Sequence, residues 1–234
     1  MRGVGLIVAE REGPPVSLTS TAPAPTATAT TPTVREQVER LVALGVPELA
    51  GVSAEELRSA ASKLRGGARS ILIVHPSLVP VSRLVPLLSR SGKPGFVVSD
   101  FSDLDQFEPL DDIDVPDRPL YLVHEVERGD DLRNWSPDEA LPEIVSRGRR
   151  PLTVSEGVSW FLQQPDQLEP NFCAMTIGSR LRRPAGGLDA RTPAIWISSG
   201  TGRDGRAVRG APKLGWCWAG NRHTWLGFAS AARC

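Results

Sequence analysis

The chain has 234 residues, 40% hydrophobic and 23% charged, with 27 basic and 27 acidic groups that cancel. These are the values of an ordinary globular chain, and a zero net charge gives no reason to expect nucleic acid or an acidic membrane as partner. No run approaches the roughly 18 apolar residues of a membrane-spanning helix, and three cysteines at no regular spacing fit a reducing cytoplasm better than a disulfide scaffold.

Residues 1–33 read as a leader outside the fold. Residues 19–33 contain only Thr, Ser, Ala and Pro, a composition that cannot bury a core. Arg2 and the apolar stretch 3–9 have the outline of a secretory segment, but Glu10, Arg11 and Glu12 cut it short. Val34, Val38, Leu41 and Val42 then recur at helical spacing. Ser53 opens a second helix with Glu56 three residues on, a capping box, and Gly66-Gly67 stops it. Residues 70–75, 95–99 and 120–126 read as strands. Residues 81–89 read as a helix that Pro86 shortens, and 137–147 as a helix opened by Ser136. Thr153 and Glu156 form another capping box, with Val158, Phe161 and Leu162 facing inward.

The last third is strand-rich. Residues 172–179, 194–198 and 213–219 alternate as half-buried strands, and 225–232 reads as a short closing helix capped by Thr224. Early mixing of helices and strands with late clustering of strands predicts one α+β domain over residues 34–234. A parallel α/β sheet is the alternative.

The charge is unevenly placed. Residues 1–99 sum to +4, residues 100–143 to −12 and residues 144–234 to +8. The acidic block from Asp100 to Asp117 lacks the order of a calcium loop, so no metal is expected there, and a solvated loop leaning on the basic C-terminal part is the better reading. Arg147, Arg149 and Arg150 precede the helix capped by Thr153, while Arg180, Arg182 and Arg183 follow a strand. Guanidinium groups near a helix N-terminus suit a small anionic ligand.

Gly200-Thr201-Gly202-Arg203-Asp204-Gly205 matches G-x-G-x-x-G. Only Arg206 to Arg209 separate it from Gly210 and Pro212, which leaves no room for the helix of a dinucleotide site. The segment reads as a loop between two strands, and no cofactor is expected. Phosphate-loop, H-E-x-x-H, C-x-x-C and G-x-S-x-G patterns are all absent.

Five of the six tryptophans lie in the last 75 residues. In the strand 213–219, Leu214, Trp216 and Trp218 share one face and Gly215, Cys217 and Ala219 the other. A turn at Gly220–His223 then places Cys217, Asn221 and His223 near one strand exit. A thiol, an amide and an imidazole could serve as nucleophile, orienter and base. Cys173 alternates with Met175 and Ile177 and reads as core. A metal on Cys217 and His223 is not expected, because no ligand pair has the usual spacing.

Residues 147–157 (RGRRPLTVSEG), 171–180 (NFCAMTIGSR), 193–198 (PAIWIS) and 212–231 (PKLGWCWAGNRHTWLGFASA) together resemble an actinobacterial family of unknown function with a C-terminal PKLGWCWAGNxHTWLG signature. Weaker likeness extends over 34–45 and 114–141. The resemblance implies a cytoplasmic bacterial protein and brings no activity with it.

Three functions compete. One is an enzyme acting on a small polar or anionic metabolite, with a pocket lined by Trp196, Trp218, Asn221 and His223 and with Arg180 or Lys213 holding the anion. A second is a binding or accessory protein with the same pocket and no chemistry. The third is a structural module whose tryptophans are core. Polar groups dense among aromatics favour the first.

Overall fold

The computed structural model describes residues 31–233. Its helices are α1 (Val34–Ala43), α2 (Val46–Ala50), α3 (Ala54–Ser62), α4 (Val81–Leu84), α5 (Pro137–Ser146) and α6 (Val154–Gln163). In the first half the strands are β1 (Ser70–Val74), β2 (Ser89–Arg90), β3 (Lys93–Pro94), β4 (Phe96–Val97), β5 (Glu108–Pro109) and β6 (Leu120–His124). The second half adds β7 (Arg149–Pro151), β8 (Cys173–Met175), β9 (Ser179–Arg180), β10 (Arg191–Ile197), β11 (Pro212–Trp218), β12 (Leu226–Phe228) and β13 (Ser230–Ala232). The fold is a single α+β domain.

Its centre is α6, buried at all ten of its residues. One side meets the antiparallel pair β1–β6, and the other meets a five-stranded sheet in the order β12-β8-β10-β11-β4. That sheet is mixed. β10 runs antiparallel to β8 and β11, while β12 on β8 and β4 on β11 are parallel. The opposite face of the sheet holds a second apolar cluster, in which Met175, Ala194 and Phe228 meet Ala140 and Ile144 of α5.

Among the described residues β1 has a strand partner on one side only, β6, and side chains complete its other edge. Gln37 of α1 donates to Ser70 O and accepts from Leu72 N–H, both at 2.7 Å. At Val74, Ser155 of α6 donates and Ser159 accepts: Ser155 Oγ–H reaches Val74 O at 2.7 Å, and Val74 N–H reaches Ser159 Oγ at 3.1 Å. Buried backbone groups need partners, and these polar residues explain why otherwise apolar helix faces carry Gln and Ser.

Local signals for helices match the structure. Ser53, Ser136 and Thr153 each cap a helix and close a box with Glu56, Glu139 and Glu156. A fourth box, Thr33 with Glu36, opens α1, and Thr31 and Pro32 also accept hydrogen bonds from the domain, through Gln164 and Gln37. The last three residues assigned to the leader therefore engage the fold; the rest of that assignment, residues 1–30, lies outside the described residues.

Three readings are corrected. The segment 225–232 is not a helix, and Thr224 caps nothing; it forms β12 and β13, which pair with β8 and β7. A short stretch gains more from completing two sheets than from about two turns of isolated helix. Gly227 shows the fit, since a Cβ there would lie 2.7 Å from Arg128 O. The strand at 172–179 breaks into β8 and β9, because the intervening Gly178 bonds Leu152 instead. The helix at 81–89 is one turn of α4 and a 3₁₀ turn at Val85–Leu87, limited by Pro86.

The acidic block leans on the basic part of the chain. Asp103 takes a bidentate pair from Arg191 at 2.9 and 2.6 Å, and Asp111 pairs with Arg182.

Candidate functional site

The β10–β11 register sets Trp196 directly opposite Lys213, on the sheet face shared with Gly215 and Cys217. Gly215 has no side chain, and the far edge of the Trp196 indole lies across it; a Cβ there would approach Trp196 to 2.6 Å. Over the same indole sits the Lys213 ammonium, 4.7 Å from the ring centroid, a cation–π arrangement. Lys213 also holds both carboxylate oxygens of Asp204 at 2.7 Å.

Asp204 arrives on the glycine-rich loop between β10 and β11. The loop contains two short 3₁₀ turns and no helix, so it builds no dinucleotide cradle. Gly200, Gly202, Gly205 and Gly210 all take positive φ there, which lets the chain fold back until Ser198 Oγ–H reaches Asp204 at 2.9 Å.

Beside this group, at the β4 edge of the sheet, lies a cavity of about 500 Å³. Its apolar wall comes from Phe96, Val97, Val98, Trp196, Val208 and Trp216, and its polar groups from Ser99, Asp100, Thr201, Asp204 and Lys213. The Trp216 indole N–H is buried in this wall without an acceptor among the described residues. A buried unpaired donor costs about 1–3 kcal/mol.

Of the residues singled out from sequence, Trp196 and Lys213 meet here. Trp216, Asp204 and the 96–99 segment were missed. Asp204 was visible as the only carboxylate in the loop that joins the strands of Trp196 and Lys213. The contribution of Phe96 depends on parallel pairing of β4 with β11, and no local pattern announces that.

The other candidates lie elsewhere. Cys217 is half-buried opposite Thr192 and packs against the second apolar cluster. Burial pushes its thiol above the ordinary value, the opposite of what activates a cysteine nucleophile. Asn221 is exposed. The His223 ring stacks on Trp225, with centroids 4.5 Å apart and 12° between planes. Among the described residues no hydrogen bond joins these three side chains. Trp218 is 47% exposed and meets Trp216 edge-on at 4.6 Å.

Arg180 is buried, donates to Asp189 O at 2.7 Å and lies 3.8 Å from Asp138. Burial lowers its pKa from the usual arginine range.

The arginines before α6 are internally paired. Arg147 meets Asp131 and Glu143, Arg149 meets Glu125 O and Ser230, and Arg150 forms a bidentate pair with Glu156 at 2.8 Å. The first turn of α6 spends donors on Ser179 and Thr153.

The tryptophans do not form one core. Trp160 is fully buried against Phe161, but Trp135, Trp218 and Trp225 are exposed.

No curated protein and no solved structure matches the chain. A family model does, over residues 40–234, and the chain belongs to that family of unknown function, DUF5701.

Proposed function

We propose that this protein binds a small molecule with a flat apolar body and one or two polar groups, and that it works as a binding or accessory protein in a bacterial cytoplasm. One observation supports this above the others: the 500 Å³ cavity with indole walls and a Lys213–Asp204 pair at its side. Ligand pockets have this size and make-up, mostly apolar lining with a few fixed polar groups. An anion would have to displace Asp204 from Lys213, so a neutral planar polar ligand fits the resting site better. The enzyme reading has less behind it, because the groups that could do chemistry, Cys217 and His223, lie away from the cavity lining and are not hydrogen-bonded to each other.

The test is a thermal-shift screen of planar heteroaromatic metabolites, namely nucleobases, nucleosides, nicotinamide, pterins and flavins. A ligand of the folded state raises the melting temperature with its concentration. At least one compound should do so, Trp196→Ala should remove the shift, and Asn221→Ala should keep it. No shift with any of the panel, or a shift that survives Trp196→Ala, would overturn the reading.

A further inference from the structure

A second cleft lies away from the β4 edge. Two loops build it: residues 129–136, which enter α5, and residues 219–225, which leave β11. Backbone bonds tie them together, from Asn134 N–H to His223 O at 3.1 Å and from Asp138 N–H to Ala219 O at 3.0 Å. The cleft measures about 370 Å³ and is lined by Arg133, Asn134, Trp135, Glu139 and Arg222.

Its charges are already matched. Arg222 pairs with Glu139, and Arg133 lies 3.6 Å from Asp130. A bound anion would compete with these carboxylates, and a bound cation with these guanidiniums. Glu139 spends one oxygen on Ser136 and the other on Arg222, so the groups left to a ligand are the remaining N–H donors of the two guanidiniums and the Asn134 carboxamide, which makes no hydrogen bond among the described residues. Asn134 itself sits in the left-handed region, at φ 64°. A guanidinium offers several N–H donors and a carboxamide both a donor and an acceptor, so one such group meets two neighbouring hydroxyls.

The aromatic rings complete the picture. Trp135, Trp218 and Trp225 are 38%, 47% and 51% exposed, although large apolar side chains are usually covered. Trp135 lines the cleft, while Trp218 and Trp225 bracket the loop that supplies Arg222. His223 backs Trp225 as a flat stack, which stiffens that indole where it stands. A ligand for this surface needs hydroxyls in pairs, no charge and an apolar ring face.

We propose that this cleft binds a neutral saccharide, with one pyranose ring seated against Trp135 and its hydroxyls on Arg133, Asn134 and Arg222.

The experiment is a tryptophan-fluorescence titration of the full chain with glucose, galactose, mannose and N-acetylglucosamine, and with their di- and trisaccharides. At least one should give a saturable change. Trp135→Ala should weaken binding by about tenfold or more, the scale of a lost aromatic anchor. Trp135 is only 38% exposed, so Asn134→Gly, which removes an exposed side chain and keeps the left-handed backbone, should also weaken binding while keeping the parent melting temperature. Trp196→Ala, at the other cavity, should leave sugar binding unchanged, so the two sites stand or fall separately. No saturable response to any of these sugars would overturn the proposal, as would full binding by Trp135→Ala. So would a response to neutral phosphatidylcholine vesicles without one to sugars, which would mark a lipid surface instead.

Discussion

Glu156 has no solvent exposure, and its carboxylate is held by donors on every side. Arg150 meets both oxygens at 2.8 Å, Thr153 N–H donates at 2.8 Å and the Tyr121 hydroxyl at 3.2 Å. The capping box read from sequence is thus half of a buried ionic network, and burial beside that carboxylate pushes the Tyr121 hydroxyl well up. Removing one partner of a buried ion pair leaves the other charge uncompensated, at about 3–5 kcal/mol. Glu156→Gln should lower the unfolding free energy by that amount in urea titrations. Loss of the Thr153 hydroxyl alone should cost about 1 kcal/mol. Equal effects from the two variants would show that the ion pair adds nothing to the cap. Glu139 shows the same box at the surface. The Ser136 N–H, then the Arg222 guanidinium and the Ser136 hydroxyl, hold its carboxyl down to about 2 from an ordinary 4.5. A depressed carboxyl stabilises the fold above its unfolded value, and that contribution disappears as pH falls from about 4.5 toward 2. Stability measured across that window should fall less steeply in Glu139→Gln than in the parent.

Among the elements, α6 depends most on what it lacks. Gly157 lets the helix press against the sheet, and a Cβ there would lie 2.3 Å from Thr176 Cγ2. In an isolated helix Ala is preferred to Gly by about 1 kcal/mol. Here Gly157→Ala should instead destabilise by about 1–3 kcal/mol through overpacking, and a higher denaturation midpoint would contradict this. Elements announced by local chemistry were legible: the boxes at Ser53, Ser136 and Thr153 each lie within four residues. β12 and β13 were not, because their identity comes from β8 and β7, more than 50 residues earlier in the chain. The alternation of 213–219 was read correctly because a hairpin strand carries its own period.

At the scale of the whole molecule, the three charge blocks foretold the contact of the acidic segment with Arg182 and Arg191. The cavity was only half legible. Trp196 and Lys213 stood out as an aromatic and a cation in a strand-rich region, while its other wall rests on β4, which joins the sheet from the far side of the sequence. The Cys217–Asn221–His223 grouping placed near neighbours in sequence together, but the 219–225 segment crosses from β11 at one side of the sheet to β12 at the other, past β10 and β8. The same crossing has a consequence for synthesis. A growing chain leaves the backbone N–H and C=O groups along one edge of β8 unpaired until residue 228 has been made, although β8 itself is complete at residue 175. Bare strand edges recruit other chains. Slow translation or a premature stop between those two points therefore puts an unfinished sheet in contact with other nascent chains, and aggregation should concentrate in that interval.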